Sequence, residues 1–158
     1  MKRGVGSWAG LAVVVLSGCF GNDAVPQVPV GMHELRVNNR QVLAEVVATP
    51  IGRETGLMHR SGLGKDRGMI FCFPDSAPRS FYMKNCLFPI DVAFLDESGK
   101  ILVIHTMAVE TKEHSFLYTK YPSGQPASHA LEMTGGWFAE NGVKAGDVIE
   151  KLPPLARQ

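Results

Sequence analysis

The 158-residue chain has almost no excess of either charge: 16 Lys and Arg stand against 15 Asp and Glu, a formal +1. A protein whose main task is to grip a nucleic-acid backbone needs a basic surplus, so that class is set aside. Cysteine is scarce too. Three residues, Cys19, Cys72 and Cys86, are too few to staple a disulfide scaffold. Neither a Gly-x-Ser-x-Gly elbow nor a His-Glu-x-x-His zinc motif occurs, so hydrolase chemistry has no signature here. Internal repeats and low-complexity blocks are missing as well. The five His and seven Met are scattered, without a His-x-x-x-His or Met-x-x-Met cluster. Thioether and imidazole together suit Cu(I), but isolated Met in apolar segments is ordinary filler, and no metal or cofactor is expected. What is present is 45% hydrophobic and 20% charged residues, enough to build one core and too apolar for a disordered chain.

The N-terminus has the layout of an export signal. Lys2 and Arg3 precede an uncharged stretch from Gly4 to Leu16. That stretch is short of the roughly 20 residues a membrane-spanning helix needs, and a basic start followed by a short apolar run reads as a secretory signal. It ends on Leu16-Ser17-Gly18-Cys19, which resembles a bacterial lipobox. The resemblance implies removal of residues 1–18 and lipidation of the Cys19 thiol. The protein is then expected to be anchored to a membrane by lipid and to face the periplasm. Phe20 rather than Asp after the lipidated residue favours the outer membrane. Residues 19–31, with two Pro and two Gly, read as a tether.

A single domain is expected over 32–152, with 153–158 a frayed tail. Strand signals dominate it. His33–Asn38 and Val42–Ala48 form one hairpin candidate; Ile90–Leu95 and Lys100–Thr106, around Asp96-Glu97-Ser98-Gly99, form another. Both strands of the second are apolar on both faces, which predicts a place in the middle of a sheet. Met69–Phe73, stopped by Pro74, and Ser80–Lys84 read as two further strands. Ala127–Met133 and Asp147–Leu152 complete the set, with a helical turn at Trp137–Asn141. Thr49-Pro50 is a helix start, Thr as N-cap and Pro at N1, and predicts one short helix near 50–58. The fold class is α+β, mainly β: a barrel-like antiparallel or mixed sheet of short strands, which limits exposed edges.

Several ordered motifs bear on identity. Gly56-Leu57-Met58-x-Arg60, Gly68-Met69-Ile70-Phe71-x-Phe73, Phe81-Tyr82-Met83-Lys84-Asn85 and Pro89-Ile90-Asp91-Val92-Ala93-Phe94 are followed by Gly99-Lys100-Ile101, Ala130-Leu131-Glu132 and Gly146-Asp147. Over roughly residues 35–152 the chain resembles the prokaryotic domain of unknown function 192. The resemblance implies a compact, β-rich, frequently exported domain and no established activity. Three positions depart from the family pattern: Gly52 for an acidic residue, Cys72 for an aliphatic one, and Cys86 for Thr.

With Cys19 lipidated, two thiols remain. If the strands carrying Cys72 and Cys86 are neighbours, a disulfide is expected, closing a loop of about 15 residues worth about 3 kcal/mol. Two buried free thiols are the alternative; a redox pair lacks C-x-x-C spacing.

The candidate site is a set of polar residues in apolar surroundings: Arg60, Lys84, Asn85 and Asp91, with Tyr82 and Glu132 as weaker neighbours. Arg60 and Lys84 would favour an anionic group, Asn85 would orient it, and Asp91 would act as base or as the counter-ion of Lys84. The structural alternative is an ion-paired network pinning helix to sheet. Tyr118–Gln125 is read as a loop that could touch a saccharide or peptide. The function expected is a non-catalytic binding or accessory domain of an envelope lipoprotein, for a small anionic ligand or a partner protein. The alternative is a hydrolase-type enzyme on an envelope substrate, with Asp91 or Glu132 as acid/base group.

Overall fold

The computed structural model describes residues 31–156. The signal, Cys19 and the tether lie outside the described residues, apart from Gly31. Seven strands form one mixed sheet: β1 (Met32–Val37), β2 (Arg40–Val47), β3 (Arg67–Phe81), β4 (Ile90–Leu95), β5 (Ile101–Met107), β6 (Tyr121–Thr134) and β7 (Ile149–Glu150), in the order β5-β4-β6-β3-β2-β1-β7. Among the described residues, two short helices, α1 (Pro50–Thr55) and α2 (Trp137–Glu140), and one 3-10 turn accompany it. The sheet curls into a half-barrel. Its two edges are drawn together at one end, where Ile101 N–H donates to Asp147 O and Ile149 N–H to Gly99 O, each at 2.8 Å. This satisfies part of the edge that β5 would otherwise expose.

Both hairpins form. Asn38 turns the first at φ 53°. In the second, the Asp96 carboxylate accepts from Ser98 N–H and Lys100 N–H, and Gly99 takes φ 85°. α1 starts as its sequence dictates: Thr49 Oγ1 accepts from Gly52 N–H at 3.1 Å, with Pro50 at N1.

Five expectations need correction. The segments 69–73 and 80–84 are not two strands: β3 runs through Pro74 and Pro78, with irregular register against β6 between Cys72 and Ala77 and again between Pro78 and Ser80. Pro74 lies inside the first irregular stretch, where a missing N–H costs no ladder bond, and Pro78 stands opposite Pro126 at the edge of the second. β5 is an edge strand; only β4 of that hairpin is interior. The segment from Tyr121 to Gln125 belongs to β6 rather than to a loop. The tail is docked as far as Ala156, whose N–H donates to Phe73 O, while Pro153 O meets His129 Nε2 at 2.9 Å. β7 keeps only two residues of the strand expected over 147–152.

The expected disulfide fails for the same reason as the two-strand reading. Cys72 lies on β3, and Cys86 follows the end of that same strand, so no pair of neighbouring strands brings them together. Both are buried free thiols, and burial pushes each up to about 11. Alkylation in denaturant without reductant is expected to label both; a thiol pair that labels only after reduction would contradict the structure.

Alternation along the strands gives the sheet two apolar faces. On one, Leu35, Val42, Ile70, Ala93, Leu131 and Phe138 pack together. On the other, Met69, Phe71, Phe73, Val92, Phe94 and Ala130 form a second core. β2 and β3 are parallel, and a parallel pair needs a crossover. Residues 48–66, including α1, supply it, and Leu57 joins the second core. The β3–β4 connection folds over the same face, burying Met83, Cys86 and Phe88 there.

Candidate functional site

Those two covers do not meet the sheet everywhere. Between them is an open-mouthed cavity of about 140 Å³, well above the ~15 Å³ a single water needs. Arg53, Gly56, Leu57 and Met58 line it from the crossover; Phe81, Tyr82, Lys84 and Cys86 line it from the other side. Phe71, Phe73 and Glu132 come from the sheet. One contact closes the rim between the covers: His59 N–H donates to Asn85 O at 2.8 Å. Both residues sit in the left-handed region, at φ 63° and 54°, where Asn is tolerated better than most.

Glu132 is the anomaly. It lies on β6, an interior strand, directly opposite Met69 on one side and Val92 on the other. Only 5% of it is exposed, and its Oε2 is buried without a hydrogen-bond partner among the described residues. Burial alone pushes its carboxyl up to about 8; neither Arg53 nor Lys84 is placed to offset that. The Cys86 thiol is close enough to feel Glu132, which adds to the rise its own burial causes. A Cβ on Gly56 would stand 4.0 Å from Glu132 Oε2 and 3.3 Å from the Phe71 ring, and φ here is +47°. Glycine at 56 therefore keeps the cavity open over the carboxyl.

The mouth is cationic and aromatic. Arg53 is held in place, its Nη1 donating to Ala48 O and Cys72 O at 2.6 and 3.2 Å, with its guanidinium 5.8 Å from the Phe73 ring centre. Lys84 is half-buried and makes no ion pair among the described residues. Lys120 lies 3.9 Å over the Tyr82 ring, and Arg79 4.2 Å over that of Phe73.

Of the six residues the sequence singled out, Tyr82, Lys84 and Glu132 converge here. Asn85 contributes its carbonyl to the rim, while its side chain is exposed. Arg60 is elsewhere: both of its Nη atoms pair with the Glu45 carboxylate, fixing the crossover to β2. The Arg60 hydrogen bond lowers the Glu45 pKa and the pair raises that of Arg60. For Arg60 the structural alternative describes what is seen. Asp91 faces the opposite side of the sheet. It accepts from Thr106 Oγ1 at 2.7 Å and Phe138 N–H at 3.2 Å, so it is neither the counter-ion of Lys84 nor in reach of the cavity. Nothing local in the sequence sets Arg53, Gly56 or the Phe71/Phe73 wall apart as site residues. Gly56 opens one of the motifs quoted above, but only the crossover reveals what lies beneath it.

The family model of DUF192, described as "Uncharacterized ACR, COG1430", matches residues 33–151. The chain belongs to this family. Two solved structures resemble this DUF192 domain. One, from Sinorhizobium meliloti 1021 and named a candidate transcription regulator, is 32% identical with a TM-score of 0.66, over 74% of this chain and 89% of its own. The other, a protein of unknown function from Novosphingobium aromaticivorans, is 29% identical with a TM-score of 0.67, over 82% and 95%. No curated protein matches the chain. Among the described residues no group of three or more His, Cys, Asp or Glu is arranged to hold a metal.

Proposed function

We propose that this DUF192 domain is a small-ligand-binding module, carried by a lipid on Cys19 at the periplasmic side of the cell envelope, and that its site is the cavity between α1 and the β3–β4 connection. The observation that carries the reading is the Glu132 carboxyl, buried in that cavity with an oxygen that nothing among the described residues satisfies. An unpaired buried polar group costs about 1–3 kcal/mol, a cost that binding would offset. The aromatic wall supplies apolar contact, and Arg53 and Lys84 at the mouth suit an anionic group on the ligand. The basic start, the apolar run and Leu16-Ser17-Gly18-Cys19 support the envelope placement.

Native mass spectrometry of the full chain, released from membranes in mild detergent, tests this. A co-purifying small mass is expected, weakened roughly tenfold in occupancy constant by Lys84→Ala, equivalent to about 1.4 kcal/mol. A bare mass from repeated preparations, with no thermal shift from any small anion or zwitterion, would sink the reading in favour of a protein partner. A second reading rests on the raised Glu132 pKa, which lies where a general acid works well. In that case Glu132→Gln keeps affinity and stops turnover; in a binding module it loses affinity.

A further inference from the structure

We infer that the ligand of this cavity is a zwitterion, held with its ammonium group inward against Glu132 and its anionic group at the mouth beside Arg53 and Lys84. The inference rests on the small-ligand reading and adds the ligand's charge pattern. Charge order within the cavity carries it. The inner acidic group is Glu132, the mouth holds Arg53 and Lys84 with the exposed Glu54 beside them, two cations to one acid, and Phe71, Phe73 and Phe81 form aromatic walls. A ligand with its carboxylate inward would set acid against acid and leave both cations unmatched. A plain cation would have to pass those cations with nothing to pair with them. An ammonium against Glu132 gives the orphan Oε2 its missing donor and gains from the ring faces. Rings at this rim already attract cations, Arg79 and Arg53 at Phe73 and Lys120 at Tyr82.

Binding should then be linked to proton release. Burial keeps the empty site's carboxyl protonated at neutral pH, and an ammonium partner favours the ionised form. The other groups at the carboxyl are few. Met69 and Val92 flank it without charge on β3 and β4. The Cys86 thiol, pushed up to about 11, stays neutral through this range. Arg53, Lys84 and Tyr82, and Glu54 of α1, lie farther out along the lining.

The test is calorimetric titration of the full chain in mild detergent with 4-aminobutyrate, 5-aminovalerate and phosphoethanolamine, alongside valerate and butylammonium as single-charge controls. At least one zwitterion is expected to bind better than either control and to release close to one proton per ligand near neutral pH. Its affinity should rise roughly tenfold per pH unit from pH 6 until it levels near pH 8, and Glu132→Gln should abolish the pH dependence and lower the affinity at least tenfold. Binding of valerate alone, with affinity falling as pH rises, overturns the zwitterion and leaves the small-ligand reading intact. So does zwitterion binding that Glu132→Gln does not alter. No binding by any of the five, together with a bare native mass, overturns both. Melting curves of Glu132→Gln run in parallel separate lost binding from lost folding.

Discussion

Glu132→Leu is expected to fold more stably than the parent, by about 1–3 kcal/mol at neutral pH, and to lose a pH dependence that the parent shows. The parent buries a carboxyl whose Oε2 has no partner, facing Met69 and Val92. Leucine fills similar space and extends the second core. The direction with pH follows from the pKa. Glu132 has an ordinary value of 4.5 and is pushed up to about 8 in the fold. Between those values the unfolded chain has released a proton that the folded chain keeps. The contribution from the protonated carboxyl is therefore whole below about pH 4.5 and is lost as pH rises through about 8, at up to ~1.4 kcal/mol per unit. The His129 pKa is lowered, chiefly by burial; its neutral form contributes above the unfolded value and is lost as pH falls, the opposite slope. Comparing parent and variant removes that term. Urea midpoints at pH 5, 6.5 and 8 are expected to diverge, the variant's advantage growing with pH. A gap that stays constant would mean that Glu132 is not buried as a protonated acid. A gain in stability on removing a side chain is what a residue kept for function produces.

Asp91→Ala is expected to do the reverse: a loss of about 2–4 kcal/mol with no change in ligand affinity. Asp91 caps the buried Phe138 N–H and holds Thr106 Oγ1 on the neighbouring strand, so alanine leaves an unsatisfied donor at the start of α2. For a domain of this size that loss lowers Tm by roughly 10 °C. Asp91→Asn retains an acceptor and should cost less. The two carboxylates are adjacent on paired strands, Asp91 beside Met133 and Val92 beside Glu132, yet alternation sends them to opposite faces. Melting curves and ligand titration on the two variants separate the roles. If Asp91→Asn kept its stability and lost ligand binding, the assignment of the cavity to the other face would be wrong.

How far the site could be read from the chain follows the same geometry. Lys84 and Asn85 stand out in the sequence because they interrupt an apolar run, and Tyr82 and Glu132 enter only as weaker neighbours of that cluster. That signal registers burial, and burial is what makes Glu132 unusual. It cannot tell faces apart when both are apolar, as along β4, where all six residues are buried; hence Asp91 was grouped with Lys84. Arg60 stands out in the sequence by its charge, but its partner Glu45 lies on β2, across a parallel crossover that no local pattern announces. The disulfide failed because Pro74, normally a strand breaker, sits at a bulge and does not end β3.

Local chemistry alone determined the Thr49–Pro50 helix start, both hairpin turns, the β-rich class and the family. Each depends on residues close in the chain, where turn conformers, caps and alternation act within a few positions. Tertiary structure decided the rest: that β5 lies at an edge, that the two sheet edges are drawn together, that the tail docks on β3, and that α1 and the β3–β4 connection roof one cavity over Glu132. These depend on which face of a strand is covered and by what, and a strand with two apolar faces carries no local mark of that choice.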